Sequence, residues 1–197
     1  MVKIAVDIDT PVADFAAAYT EYCNMRFDLN DDLNQKTCWF AGDCDNFEIS
    51  KEQDDIAFKE FSDIRMFAAL KLVPGAKEAL CSLSGMGYEI IYITARPKGM
   101  RRTTAKWIVK HGLPLDGLVF ESSNKGKIAS SIGCTYAIDD RLDYCESFVK
   151  QGIITYLWQK PYSMEVGDLD VLTINNEKNC DFERWREILK DIHERER

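Results

Sequence analysis

The sequence predicts an α/β protein: a parallel sheet with helices on both faces and a small helical cap inserted after the first strand. Apolar strand-like runs alternate with helical segments from residue 76 onward, which is the pattern of βαβ units. Residues 13–72 interrupt this alternation, because they hold two helical segments with no strand between them. We therefore expect a Rossmann-like core of residues 1–12 and 73–197 and a helical cap of residues 13–72.

The spacing of apolar residues and the local composition predict the first strand and the elements of the cap. Residues 3–8, KIAVDI, are an apolar run that ends in acid, as in a buried strand of a parallel sheet. Residues 11–27 have helical spacing, and Pro11 suits the first turn of a helix. Residues 28–50 are rich in Asp, Asn and Gly and are expected to be irregular, whereas residues 51–70 return to helical spacing.

The core elements follow in strict alternation after Pro74-Gly75. Gly112 is expected to end one helix in a left-handed conformation, with Lys110 in its last turn. The expected strands are 88–94, 117–120, 135–138, 153–157 and 171–174, and the expected helices are 76–86, 101–111, 126–132, 141–150 and 181–194.

Composition restricts the class of protein. The 197 residues suit one domain with a modest insertion, and a net charge of −8 gives no general attraction for nucleic acid. A local positive site for a small phosphorylated substrate remains compatible with that charge. Seven cysteines, an odd number without a CxxC pair, indicate reduced thiols rather than a disulfide framework, and Cys38 and Cys44 lack the second pair of a zinc site.

The N-terminal segment MVKIAVDID reads as a strand and lacks the features of a signal peptide. No apolar run approaches the roughly 20 residues that cross a bilayer. We therefore expect a cytoplasmic protein without membrane contact. Nothing in the sequence indicates an oligomeric state.

Chemically active side chains follow the strands. In open parallel sheets ligands bind beyond the carboxyl ends of the strands, so these side chains should converge on one rim. Two acidic strand ends placed together repel unless a cation lies between them, and Mg²⁺ suits carboxylates, water and phosphate oxygens. A hydroxyl and a lysine would complete the equipment for phosphoryl transfer. The residues concerned are Asp7, Asp9, Thr94, Ala95, Arg96, Lys125, Asp139 and Asp140.

These residues resemble the four motifs of the haloacid dehalogenase-like superfamily, in order and spacing. Asp7-Ile8-Asp9 fits the DxD motif, Thr94 the second motif, Lys125 the third, and Asp139-Asp140 the acidic fourth. Within the superfamily, VDIDTPVADF, YITARP and AIDDR are most similar to 5'(3')-deoxyribonucleotidases and bacterial nucleotidases. The resemblance implies a magnesium-dependent phosphatase, most simply a nucleotidase acting on (deoxy)nucleoside monophosphates.

The resemblance also implies a role for each residue. Asp7 would be the nucleophile that forms an aspartyl-phosphate, and Asp9 the acid and base. Asp7, the carbonyl of Asp9, and Asp140 would hold Mg²⁺, with Asp139 as an indirect or alternate ligand. The residues that would bind the substrate are Thr94, Ala95, Arg96 and Lys125. Among them, Lys125 would balance the negative charge of the phosphoryl group.

Several alternatives stay open. Thr10-Pro11 replaces the usual Gly of the first motif, so the turn there should differ in detail. Lys127 competes with Lys125, and Asp139-Asp140 also suit the N-cap of the next helix, a role compatible with metal binding. The basic stretch 98–110 reads as a solvated helix face or a substrate contact.

Alternatives also remain for the substrate. Trp39 and Phe40 either stack on a nucleobase or pack the cap. The ester could instead be a sugar phosphate, phosphoglycolate or a polynucleotide 3'-phosphate. A protein that binds a phosphorylated ligand without catalysis is the competing class.

Overall fold

The computed structural model of the chain describes residues 1–32, 35–36, 41–44, 47–63, 66–121, 123–173 and 181–197. Trp39 and Phe40, with their two alternative roles, lie outside the described residues, as does Cys38.

A six-stranded sheet forms the centre of the fold. Its strand order is β3-β2-β1-β4-β5-β6, and every pairing between neighbours is parallel. The strands are β1 (Lys3–Val6), β2 (Glu89–Thr94), β3 (Gly117–Phe120), β4 (Tyr136–Asp139), β5 (Ile154–Leu157) and β6 (Leu172–Thr173). The parallel α/β sheet predicted from the sequence is confirmed.

The helices that connect these strands match the predicted positions to within a few residues for most elements. They are α1 (Phe15–Phe27), α2 (Lys51–Asp63), α3 (Ala76–Gly85), α4 (Arg101–Lys110), α5 (Lys125–Ile132), α6 (Leu142–Val149) and α7 (Asp181–Arg195). Helix α4 ends as expected, with Gly112 at a φ of 67° just beyond it.

Alternate residues of the central strands face two separate apolar layers. Ile4 and Val6 of β1 belong to a large cluster with side chains of α3, α4 and α7, including Trp107 and Trp185. Ala5, between them, belongs to a second cluster with side chains of α5 and α6. This period of two places helices on both faces, as predicted.

Three predicted boundaries are wrong. The helix expected from residue 11 begins at Phe15, because the chain first makes a tight turn in which the amides of Val12 and Ala13 both donate to the carbonyl of Ile8, at 3.1 and 2.7 Å. Pro11 lies in that turn, and Asp14 caps the helix by accepting from the amide of Ala17 at 3.3 Å.

The other two elements are shorter than expected. The helix predicted over 51–70 is described as α2 to Asp63, and Met66–Ala68 form a separate 3₁₀ turn that brings Phe67 into the core. Of the strand predicted over 171–174, Leu172–Thr173 form β6, which pairs with β5 at one edge of the sheet, and residue 174 lies outside the described residues.

The segment predicted as a cap leaves and rejoins the core at neighbouring points. Ala13 forms an antiparallel bridge with Leu72, and the amide of Val73 donates to the carbonyl of Val12 at 2.8 Å. Between these points α1 packs on α2 through aromatic rings, with Tyr19 and Phe61 at 5.5 Å between centroids. This path supports a division into core and cap, which stays a prediction.

Gly126 lies where α5 packs tightly against α6. A Cβ added at Gly126 would lie 1.9 Å from the carbonyl oxygen of Ser147. We expect Gly126→Ala to lower the free energy of unfolding by about 1–3 kcal/mol, the usual cost of overpacking, in urea denaturation. Gly85→Ala is the control, since a Cβ there meets no atom within 4 Å. Equal stability of the two variants would contradict this packing.

Candidate active site

The predicted site residues do meet at one rim of the sheet. Asp7 follows β1 directly, Asp139 ends β4, and Lys125 is the first residue of α5. Asp7 and Lys125, together with residues after β2, border a cavity of about 140 Å³, whose lining includes Asp9, Ala95, Arg96 and Asp140. The carboxyl ends of β1, β2 and β4 therefore converge, as expected for an open parallel sheet.

A buried ammonium group lies at the centre of the rim. Lys125 Nζ donates to Asp7 Oδ1 and to Asp139 Oδ2, each at 2.7 Å, and lies 4.2 Å from the ring centroid of Tyr144. The side chains of Lys125 and Asp139 are only 1% exposed. Ion pairs hidden this well from solvent are weakly screened, so the lysine holds both carboxylates firmly in place.

Local structure decides that Lys125, and not Lys127, enters the cluster. The Asn124 side chain caps α5 by accepting from the amide of Lys127 at 2.9 Å, so the helix starts at Lys125. The first residue then points to the strand ends, while Lys127 is exposed. The amide of Asp7 donates to the carbonyl of Ile138 at 2.9 Å, which fixes Asp7 beside β4.

The pKa values of four buried groups, Asp7, Lys125, Asp139 and Asp140, depart from their ordinary values. Burial raises the pKa of Asp7 to about 7 and that of Asp139 to about 6, even though Lys125 opposes the change. Burial and the neighbouring Asp7 raise the pKa of Asp140 to about 6. For Lys125, burial alone would lower the pKa, but attraction to Asp139 and Asp7 outweighs it and the pKa is raised. A further cation would relieve this excess of negative charge.

The cluster fits a divalent metal ion. Asp7, Asp139 and Asp140 each offer a carboxylate oxygen, and these oxygens lie within 4.8 Å of one another. Hard oxygen ligands of this kind suit Mg²⁺. The carboxylate of Asp9, in contrast, points to Arg96, so only the backbone of Asp9 is left for the ligand role that the resemblance gave it.

Tyr162 is a site residue that the sequence reading missed. It lies in the 3₁₀ turn Pro161–Ser163 after β5, and its hydroxyl donates to Asp140 Oδ2. Hydrogen bonds from Tyr162 and Thr10 oppose the rise in the pKa of Asp140. The only signal in the sequence was a position just beyond a strand of the sheet.

Asp139 and Asp140 do not cap α6 in the expected way. The N-cap residue of α6 is Arg141, whose side chain caps no amide of the helix. Asp139 Oδ1 accepts from the amide of Arg141 at 3.1 Å, so one oxygen orders the chain before the helix. The other oxygen binds Lys125.

The residues after β2 take distinct positions. Thr94 is fully buried, and its Oγ1 accepts from the amide of Arg96 at 3.2 Å, which forms a tight turn at the strand end. Ala95 is exposed on the cavity wall. Arg96 binds the carboxylate of Asp9 with two hydrogen bonds, at 2.8 and 2.6 Å.

Thr10 has a backbone conformation that favours glycine. Its φ is 91°, and its amide donates to the carbonyl of Ala13 at 2.9 Å. A β-branched residue in such a conformation costs about 1–3 kcal/mol. The departure from the usual motif therefore leaves the course of the turn glycine-like and adds a hydroxyl beside Asp140.

Aromatic rings form part of the cavity wall. Phe15 stacks on Tyr19 at 5.4 Å and on Phe67 at 5.7 Å between centroids. Phe58 also lines the cavity and is 43% exposed. This wall comes from the segment between β1 and α3.

Residues 1–170 match the family model described as 5' nucleotidase, deoxy (pyrimidine), cytosolic type C. The chain belongs to this nucleotidase family. A Bacillus cereus protein named "Putative nucleotidase" is 26% identical over 172 residues, which are 83% of this chain and 89% of the relative. A Chlorobaculum tepidum protein named "Putative 5'(3')-deoxyribonucleotidase" is 22% identical over 175 residues, 85% of this chain and 84% of the relative.

Solved structures show the same fold at lower identity. A HAD family hydrolase from Deinococcus radiodurans, solved with bound phosphate and sodium, has a TM-score of 0.65 and 13% identity, and the match covers 96% of this chain and 95% of that one. The predicted resemblance to haloacid dehalogenase-like proteins is confirmed. This nucleotidase family member is a phosphatase for small phosphorylated substrates.

No helix within the described ranges is long and apolar enough to span a membrane.

The raised pKa values predict a metal affinity that depends on pH. Below about pH 6 the carboxyls of Asp7, Asp139 and Asp140 are partly protonated, and a metal must displace those protons. We expect Mg²⁺ affinity to rise between about pH 5 and about pH 7, by about tenfold per pH unit for each proton displaced. Calorimetric titration measures it, with Asp7→Asn as the variant that flattens the curve. Affinity that is constant or falls over this range would contradict the arrangement.

Proposed function

We propose that the protein is a magnesium-dependent phosphomonoesterase that acts through an aspartyl-phosphate on Asp7, with (deoxy)nucleoside monophosphates as substrates. The observation that carries the proposal is the contact of Asp7 with buried Lys125, beside two further carboxylates and at a cavity that aromatic rings also line. Charge for the phosphoryl group and apolar surface for a base thus border the same space.

In the first step Asp7 attacks phosphorus and the ester bond breaks. Because Asp7 Oδ1 is bound to Lys125, we assign the attack to Oδ2. The Thr94 hydroxyl and the Ala95 amide donate hydrogen bonds to the phosphoryl oxygens, and Lys125 balances the negative charge of these oxygens. Asp9 enters this step with a proton on one carboxyl oxygen while the other oxygen keeps its hydrogen bond to Arg96. It gives that proton to the departing ester oxygen, which leaves as an alcohol.

In the second step water hydrolyses the acyl phosphate. Asp9, now ionised, takes a proton from the water as it attacks phosphorus, and inorganic phosphate leaves while the Asp7 carboxylate is restored. A magnesium ion held by Asp7, Asp140 and the Asp9 carbonyl, with Asp139 alongside, would neutralise phosphoryl charge in both steps.

The aromatic wall supports a nucleoside as the alcohol part of the substrate. Phe15 and Phe58 line the cavity, and Phe58 is 43% exposed. Aromatic rings stack on bases of any sequence. The family description and the names of the two curated relatives are in line with this choice. A sugar phosphate or phosphoglycolate has no flat ring for such a wall.

The direct test is phosphate release from a panel of esters: deoxynucleoside and ribonucleoside monophosphates, sugar phosphates, phosphoglycolate, an oligonucleotide 3'-phosphate and p-nitrophenyl phosphate. We expect the highest kcat/KM for a nucleotide, loss of activity with a chelator, and its return with Mg²⁺. Asp7→Asn should remove activity on every ester. Activity that survives in Asp7→Asn, or without a divalent ion, would contradict the mechanism.

A matched pair of variants on α2 tests the base-binding wall in the same assay. Phe58→Ala removes a ring that lines the cavity, whereas Ile56→Ala removes a side chain of similar exposure, 40%, that does not. We expect Phe58→Ala to raise KM for nucleotides by about tenfold, the worth of one stacked ring, and to spare phosphoglycolate. Equal effects on both esters, or a better sugar phosphate substrate, would overturn the choice of nucleotide.

A further inference from the structure

Arg96 pairs with both oxygens of the Asp9 carboxylate. Its Nε donates to Asp9 Oδ2 at 2.8 Å and its Nη2 to Asp9 Oδ1 at 2.6 Å, so each carboxylate oxygen has one guanidinium partner. The arginine side chain is 1% exposed, while Asp9 is 23% exposed and borders the cavity. Two parallel hydrogen bonds of this kind fix the orientation of the carboxyl group.

The guanidinium is itself held on its other sides. Nη1 donates to Thr104 Oγ1 of α4 at 3.3 Å, and the group lies 4.6 Å from the ring centroid of Phe67 and 5.8 Å from that of Trp107. The Trp107 indole donates in turn to the carbonyl of Leu70 at 2.8 Å. The position of Arg96 is therefore set by α4 together with the segment that returns to the core.

We propose that Arg96 is a positioning residue, which aims Asp9 at the leaving-group oxygen, and not a ligand of the phosphoryl group. The inference rests on the proposed function. It differs from the role implied by family resemblance, which placed Arg96 on the substrate side. Among the residues that the structure describes, Arg96 is the ion-pair partner of Asp9, whereas Lys125 pairs with Asp7 and Asp139.

A positioning role and a phosphoryl-binding role of Arg96 predict that kcat/KM depends on the leaving group in different ways. The value of kcat/KM reports only the steps up to release of the alcohol, in which Asp9 serves as the acid. An alkyl phosphate needs that proton, whereas p-nitrophenolate leaves without it. A misaimed Asp9 therefore harms the alkyl ester selectively, but a lost phosphoryl ligand harms both esters, because their phosphoryl groups are identical.

The experiment compares kcat/KM for p-nitrophenyl phosphate and for the alkyl phosphate that the wild-type protein hydrolyses best. In Arg96→Ala and Arg96→Lys we expect a loss of about 10²-fold on the alkyl ester and less than about tenfold on the aryl ester. Lysine should not substitute, since it lacks the planar fork. Added guanidinium, but not sodium at equal ionic strength, should partly restore Arg96→Ala on the alkyl ester alone.

Controls separate this role from damage to the fold. Asp9→Asn should give the same selectivity as Arg96→Ala, and the exposed Arg102→Ala should leave both esters unaffected. Losses of equal size on the two esters, or full activity of Arg96→Lys, would overturn the positioning role. A wild-type protein that hydrolyses neither ester would instead overturn the proposed function and this inference with it.

Discussion

The buried contact of Lys125 with Asp7 and Asp139 is the constraint on which the rest of the structure depends. Charges removed from water this completely are stable only if they are paired at close range. The first turn of α5 must therefore lie against the ends of β1 and β4. Asn124 starts the helix at the right residue, and Gly126 allows α5 to lie close to α6. Residues of β1, β4 and the first turn of α5, which are far apart in the sequence, thus fix the position of one ammonium group.

The rim separates two acids that are only two residues apart. Asp7 faces inward to Lys125 and the other buried carboxylates, while Asp9 faces Arg96 at the cavity wall. The turn at Thr10, with its glycine-like φ, lies directly after this pair. Different surroundings are what allow two chemically identical side chains to take different roles. A carboxylate nucleophile needs positive charge beside it, and a proton donor needs a fixed orientation toward the oxygen that it protonates.

Much of the fold and the site could be predicted because the signals are local. Apolar runs located the strands, and the residues after them located Asp7, Thr94 and Asp140. Pro11 was misplaced because a turn held by the carbonyl of Ile8 precedes the helix. The choice of Lys125 over Lys127 depended on the cap at Asn124. The pairing of Asp9 with Arg96 spans 87 positions, and the contact of Tyr162 with Asp140 joins two separate loops, so no local pattern reports them.

The central claim is that Asp7 is the acceptor of the phosphoryl group in a site completed by a cation. A crystal structure of the protein soaked with Mg²⁺ and beryllium fluoride, which imitates a phosphoryl group on a carboxylate, tests it most directly. The account predicts beryllium bonded to an Asp7 carboxylate oxygen, with Lys125 still in contact and Mg²⁺ bound by Asp7 and Asp140. An unmodified Asp7, with the fluoride complex bound elsewhere or absent, would contradict it.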